Sequence, residues 1–449
     1  MRSDLMPEAA WEPFEPGRDG AWDLSAAAHL FRRAGFGADR DQLEAAVSVS
    51  PTEAVDQLLS AAEPGDFQTE MSVLASSAIA AGNVQPLSAW WLYRMLATPC
   101  QLLEKLTLFW HGHFATGADK VTDPALMLAQ NQLLRRLACG RFEELVQEVS
   151  RDPAMLLYLD AASSRKAHPN ENYARELMEL FCLGEGRYTE QDIREIARCF
   201  TGWEVRRGEY RFNRYQHDSG EKQFLGKAGV FGGEDAVRIV LEQPSAPEFL
   251  TEKLLRFFVM DEPTDPTVLC APLARQFRDS GLELRPLLRT MLTSRLFFAP
   301  ESRGRRVRSP VELAIGLLRS LNGSTNTVAL ATTLQQLGQG LFYPPSVKGW
   351  DGGRTWINSS TLLGRSNLVR ALLSVPGARF GRTSLREYLA ARNLRTPEQI
   401  LEELQLLLFA VPPPPAALES IAALLRPGTD AALTAGLHAL CTLPEFQLG

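Results

Sequence analysis

Four short stretches of this chain gather side chains able to do chemistry. The first is Phe109-Trp110-His111-Gly112-His113-Phe114, with two of the six histidines two apart beside a glycine. Neutral imidazole is the commonest metal ligand and also carries protons near neutral pH. On an unbroken helix the two rings point about 200° apart, at 3.6 residues per turn. They converge only where the helix stops at Gly112. The plainer arrangement has one histidine capping a helix end and the other packed among aromatics. The second stretch, Asn170 to Leu180, carries Glu171, Arg175, Glu176 and Glu179. At helical spacing these share one arc of about 140°, opposite Tyr173, Leu177, Leu180 and Phe181. A solvated amphipathic face is the ordinary outcome. Three carboxylates around one arginine can equally form a buried acid/base or cation site.

The third stretch is His217-Asp218-Ser219-Gly220-Glu221-Lys222, and the fourth runs from Pro344 to Asn358 with Trp350, Arg354 and Trp356. Polar residues on a loop held by a rigid scaffold are functional candidates, with plain turn chemistry as the alternative. Two indoles, a guanidinium and an amide on a glycine-hinged loop can stack on and hydrogen-bond a planar or sugar-like ligand. They can also simply pin a long loop to the core. The expected catalytic set is therefore Glu176, Glu179, His111 and Arg175. The expected substrate-binding set is His217, Asp218, Lys222, Trp350, Arg354, Trp356 and Asn358. A divalent metal, if one is held, falls to His111, His113 and Glu176.

Other chemistries have no motif here. There is no H-E-x-x-H, no E-x-x-H and no G-x-S-x-G. Gly220 to Lys227 has its glycines one residue too far apart for a phosphate loop, and Ala228 stands where a hydroxyl should hold magnesium.

The elements that must position these residues are helical. Ser50-Pro51-Thr52-Glu53 and Ser309-Pro310-Val311-Glu312 are capping boxes with proline at the first helical position. Leu102 to Phe109 reads as a strongly apolar helix. Asn170 caps a helix to Leu183 with Gly184 at its C-terminal end. Residues 203–235 break the pattern with alternating Val205, Tyr210 and Phe212 among glycines, the signature of a small β-hairpin or irregular insertion. Residues 322–331 read as a polar loop, and Leu341 to Ile357 as a loop too long to be idle. The fold class is all-α (mainly α), a multi-helix bundle with that one insertion. An extended arm over 1–22, a helical domain over 23–375 and a C-terminal helical segment over 376–449 complete the organisation.

Composition bounds the function classes. The 449 residues are 45% hydrophobic and 22% charged, an ordinary globular balance. With 47 Lys and Arg against 53 Asp and Glu, the net charge of −6 argues against a dedicated nucleic-acid binder. Six scattered cysteines without a C-x-x-C exclude a zinc ribbon and suit a reducing compartment. No window approaches eighteen apolar residues, so no membrane span is expected. The first residues show no export signal, which points to the cytoplasm.

Ordered motifs extend over about residues 24–375. They include His29-Leu30 with Arg33-Ala34-Gly35-Phe36-Gly37, Trp110-His111-x-His113-Phe114, and Asn170 through Gly184. Tyr188-Thr189-Glu190-x-Asp192, Thr201-Gly202-Trp203, His217-Asp218-x-Gly220-x-Lys222, Ser309-Pro310-Val311-Glu312 and Pro344 to Asn358 complete the set. On these the chain resembles the bacterial family known as domain of unknown function 1800. The resemblance implies a mainly α-helical fold. It also implies a sulfatase-like partner of the domain of unknown function 1501 family, often encoded alongside, and export of many relatives. It carries over no catalytic residue. Two functions are therefore expected to compete. One is an enzyme, of hydrolase type, acting on a polar, carbohydrate-like substrate through the His/Glu residues. The other is a non-catalytic binding or assembly partner of the sulfatase-like protein or of a surface polymer. Either way, the apolar face of the 171–183 helix should pack against Trp110 to Phe114.

Overall fold

A computed structural model describes residues 7–374 and 379–449. The first six residues of the arm and the 375/376 boundary lie outside it. The protein is mainly α-helical, and among the described residues no sheet exceeds two strands. Strands Trp203–Arg206 and Glu209–Phe212 pair antiparallel, with Trp203 opposite Phe212. Lys222–Phe224 and Lys227–Gly229 form a second hairpin. The expected insertion is thus two hairpins, and it ends where Gly233 opens the helix Gly233–Leu241. Among the described residues no helix is long and apolar enough to cross a membrane.

One helix, Gln101–His113, organises the interior. It is buried on nearly every side. Leu102, Leu106, Phe109 and Trp110 enter one apolar cluster, with Phe181, Leu250, Leu254 and Phe258. Leu108 enters a second, with Trp91, Leu313, Leu317 and Leu368. A helix buried all round has no solvent face to present, so it sits between packed layers and the charges it carries, Glu104 and Lys105, must find partners inside. The second cluster also takes in Leu401, Leu404, Leu437 and Phe446, so the C-terminal helices share their core with the rest of the chain. The described part of the N-terminal arm is held down as well. Its Trp11 indole donates to the Leu269 carbonyl at 2.7 Å, and Phe14 lies 4.9 Å from Phe298 between ring centroids.

The expected polar loop over 322–331 is a correction. Asn326 accepts the backbone N–H groups of Val328 and Ala329 and caps the helix Thr327–Gln336. A threonine-rich stretch has weak intrinsic helix preference, but this cap and the burial of Leu330, Ala331 and Leu334 override it.

Candidate functional site

The site grows from the C-terminal end of the Gln101–His113 helix. The helix does not stop at Gly112 but runs through His113, so the two imidazoles diverge. His111 points beneath the Trp/Gly loop. Its Nε2 accepts the Phe342 backbone N–H at 3.0 Å, and its ring lies 5.6 Å from Trp350. Burial pushes this imidazole down to about 3, so it stays neutral and acts as an acceptor. Gly112 supplies the seat for the loop. A Cβ at Gly349, whose φ is +77°, would come within 2.1 Å of the Gly112 carbonyl oxygen. The glycine at 349 therefore permits a backbone-to-backbone approach that no side chain there allows. The Trp350 indole N–H donates to Gly338 O at 2.8 Å and ties the loop to the end of the Thr327–Gln336 helix.

His113 faces the other way, into the helix expected from Asn170. That helix forms over Asn172–Glu176 and widens into a π-helical turn over Leu177–Cys182. Its closing N–H groups, from Leu183 and Gly184, both go to Met178 O, and the carbonyls of Leu180 and Phe181 are left for other donors. His113 Nε2 takes Phe181 O at 2.9 Å, and Lys253 Nζ takes Leu180 O at 3.1 Å. A carbonyl only accepts, so the His113 proton sits on Nε2 and its Nδ1 is an acceptor. Lys253 fills that position at 3.0 Å. Phe114 and Phe181 rings lie 5.1 Å apart, so the two segments pack as expected. Burial, then the Lys253 charge, keeps the His113 imidazole neutral well below its ordinary range.

Lys253 is the residue that motif reading missed. It sits on Ser245–Phe258 with its side chain half-buried, and burial pulls its ammonium down to about 8. No carboxylate pairs with it among the described residues. The signal available in the sequence was weak: one of only seven lysines, on a helix otherwise rich in Leu and Phe.

Lys253 and His113 line a cavity of about 440 Å³ between this helix, the end of the Gln101–His113 helix and the Trp/Gly loop. The size falls in the range of about 300–1,000 Å³ typical of small-molecule sites. Phe109, Phe257, Trp350 and Trp356 supply apolar wall. Arg256, one turn along from Lys253, lines it too and gives its Nη1 only to the Asp261 backbone oxygen, at 2.9 Å. The other charged lining groups are matched. Arg354 pairs with Glu262 at 2.8 Å and Lys348 with Asp351 at 2.7 Å.

The floor is an ion network. Glu312, 7% exposed, closes the Ser309 capping box, meets Lys105 at 2.5 Å and Arg306 at 3.0 Å. Burial alone would raise its carboxyl, but Arg306 and Lys105 outweigh that and hold it ionised. A second knot lies on the Gln101–His113 helix, where Glu104 accepts Arg94 at 2.7 Å, Arg135 at 3.0 Å and the Trp91 indole at 2.8 Å. Both knots are satisfied internally, which marks them as structural.

The expected site residues separate into five places. His113, Trp350, Arg354 and Trp356 come together on the cavity. His111 lies behind its wall and props the loop. Asn358 caps the helix Ser359–Ser374, accepting Thr361 N–H at 2.9 Å. Arg175, Glu176 and Glu179 do not line the cavity. Arg175 forks onto Glu190 at 2.9 Å, Glu179 accepts the Tyr188 hydroxyl at 2.8 Å, and burial followed by Glu179 raises the Glu176 carboxyl. The third stretch is a closed turn. His217 Nδ1 donates to Thr201 O at 2.8 Å, Asp218 pairs with Arg198 at 2.8 Å, and Lys222 donates to the Asp218 and Gly220 carbonyls. His111, His113 and Glu176 are not gathered as metal ligands. The imidazoles diverge, the nitrogens described here are engaged, and among the described residues no three His, Cys, Asp or Glu side chains cluster as a ligand set.

Residues 29–448 match the family described as Protein of unknown function (DUF1800). The chain belongs to that family. The match extends through the C-terminal helices, in keeping with the core they share. No curated protein and no solved structure matches the chain.

Proposed function

We propose that this family member is an enzyme whose cavity takes a small polar organic anion with a flat or ring-shaped body. Lys253 meets the anionic end and moves a proton on it, and His113 orients Lys253. The observation that carries the reading is Lys253 itself: a half-buried amine with no carboxylate partner, opening onto a 440 Å³ cavity. A charge held out of water without a counter-ion is costly unless a ligand compensates it, and such groups concentrate at functional sites. An ammonium pulled to about 8 is near enough to neutrality for acid/base work. Arg256 adds a second cation on the same helix face, and the Trp350 and Trp356 indoles suit a flat or sugar-like ring.

Calorimetric titration tests this with glucuronate and phenylpropionate as probes, and with glucose and phenylpropanol as their neutral counterparts. The expected result is binding of an acid, lost in Lys253→Met. If neither acid binds at millimolar concentration, the catalytic reading fails. The non-catalytic one, docking onto a sulfatase-like protein, then remains for co-purification to examine.

A further inference from the structure

The hydrogen bonds around Lys253 fit one more property. An ammonium has three N–H donors and a neutral amine has two. Two protein acceptors meet Nζ: His113 Nδ1 at 3.0 Å and Leu180 O at 3.1 Å. The neutral amine is therefore fully satisfied by the protein. Its remaining tetrahedral position carries the lone pair, and the residue opens on the cavity. Neither acceptor is an anion that would hold the proton in place. The His113 tautomer is locked by Phe181 O, so Nδ1 cannot become a donor and turn the amine away. Phe249 lies under Nζ at 4.9 Å from its ring centroid, and its ring face meets the amine when it is charged.

We infer that Lys253 is a nucleophile that condenses with the carbonyl carbon of an aldehyde- or keto-bearing organic anion held in the cavity. This rests on the cavity being an anion site. In the step, the Nζ lone pair forms the new C–N bond as the carbonyl π pair moves onto oxygen. Both Nζ protons pass to that oxygen, the nitrogen pair forms the C=N bond as the carbon–oxygen bond breaks, and the oxygen leaves as water. The product is an imine, with no oxidant or reductant involved. Arg256, on the same helix face, is placed to take the carboxylate of such a substrate. His113 is a positioning residue, since its ring stays neutral and only accepts.

Phenylpyruvate is the probe, and phenylpropionate, which lacks the carbonyl, is the control. The full chain is incubated with phenylpyruvate and cyanoborohydride, which reduces an imine to a stable secondary amine, and the adduct is located by peptide mass spectrometry. Among seven lysines, Lys253 is expected to carry about tenfold more adduct than any other, by virtue of its activated amine. Phenylpropionate should suppress the adduct by competition, and Lys253→Arg should abolish it. Binding of both acids with no adduct, or with adduct spread evenly over the lysines, overturns the nucleophile while leaving the anion site intact. Failure of both acids to bind overturns both.

Discussion

Replacing Gly349 by alanine should unseat the loop that roofs the cavity, and Gly338→Ala gives the control. Both glycines have positive φ, +77° and +89°, and Gly338 closes the C-terminal end of the Thr327–Gln336 helix. A side chain in that left-handed region costs about 1–2 kcal/mol, a part common to the two variants. The surroundings differ. At Gly338 a new Cβ meets nothing within 4 Å. At Gly349 it meets the Gly112 oxygen at 2.1 Å, followed by the Gly112 carbonyl carbon at 3.0 Å. Both are backbone, so neither can swing aside, and the loop must retreat by about an ångström to reach ordinary contact distance. That retreat pulls on the Phe342 N–H bond to His111, and a buried donor left unpaired costs about 1–3 kcal/mol. Gly349→Ala should therefore lose about 2 kcal/mol more than Gly338→Ala, together with its anion affinity. Denaturant unfolding of the two variants side by side measures the difference. Equal losses would refute the backbone seat and the role given to His111.

Glu312→Gln should cost about 3–5 kcal/mol, because it strips Lys105 and Arg306 of their shared buried partner, whereas Arg354→Ala, at an exposed pair, should stay within about 1 kcal/mol. Denaturant midpoints compare them, and a silent Glu312→Gln would refute the network. The Glu176 carboxyl is raised in the fold, so its ionisation opposes folding. Stability from that group is full below its unfolded value near 4.5 and is lost as pH rises through the folded value. Glu176→Gln should then gain on the wild type at pH 7 and lose that gain near pH 4, read from melting temperatures at both. For Lys253 the sign is opposite. Its folded value of about 8 lies below the ordinary 10.5, so the wild type should lose stability relative to Lys253→Met as pH falls from 10.5 to 8. Reductive ¹³C-methylation followed by NMR titration should show a resonance titrating near 8 that Lys253→Met removes. That loss on substitution separates it from Lys105, which burial also pulls down to about 8. An ordinary profile for the resonance lost in Lys253→Met would contradict it.

What could be read along the chain was local. The mainly helical class follows from apolar spacing and from caps such as Ser309 with Glu312, because both depend on residues within a turn or two of each other. The Trp/Gly loop and the packing of Phe181 on Phe114 were legible for the same reason: long apolar faces must find partners. The carboxylate arc on the 171–179 stretch was also there to read, but an arc says nothing about what lies opposite it. The tertiary structure turned that arc toward Glu190 and Tyr188 and made the His217–Lys222 stretch a closed turn. It also let His111 and His113 diverge by carrying the helix one residue past Gly112. Lys253 needed the fold most. Its meaning lies in His113, 140 positions earlier in the chain, and in the Leu180 carbonyl that a π-helical turn leaves free. Its depressed ionisation comes from burial, which no spacing along the chain encodes.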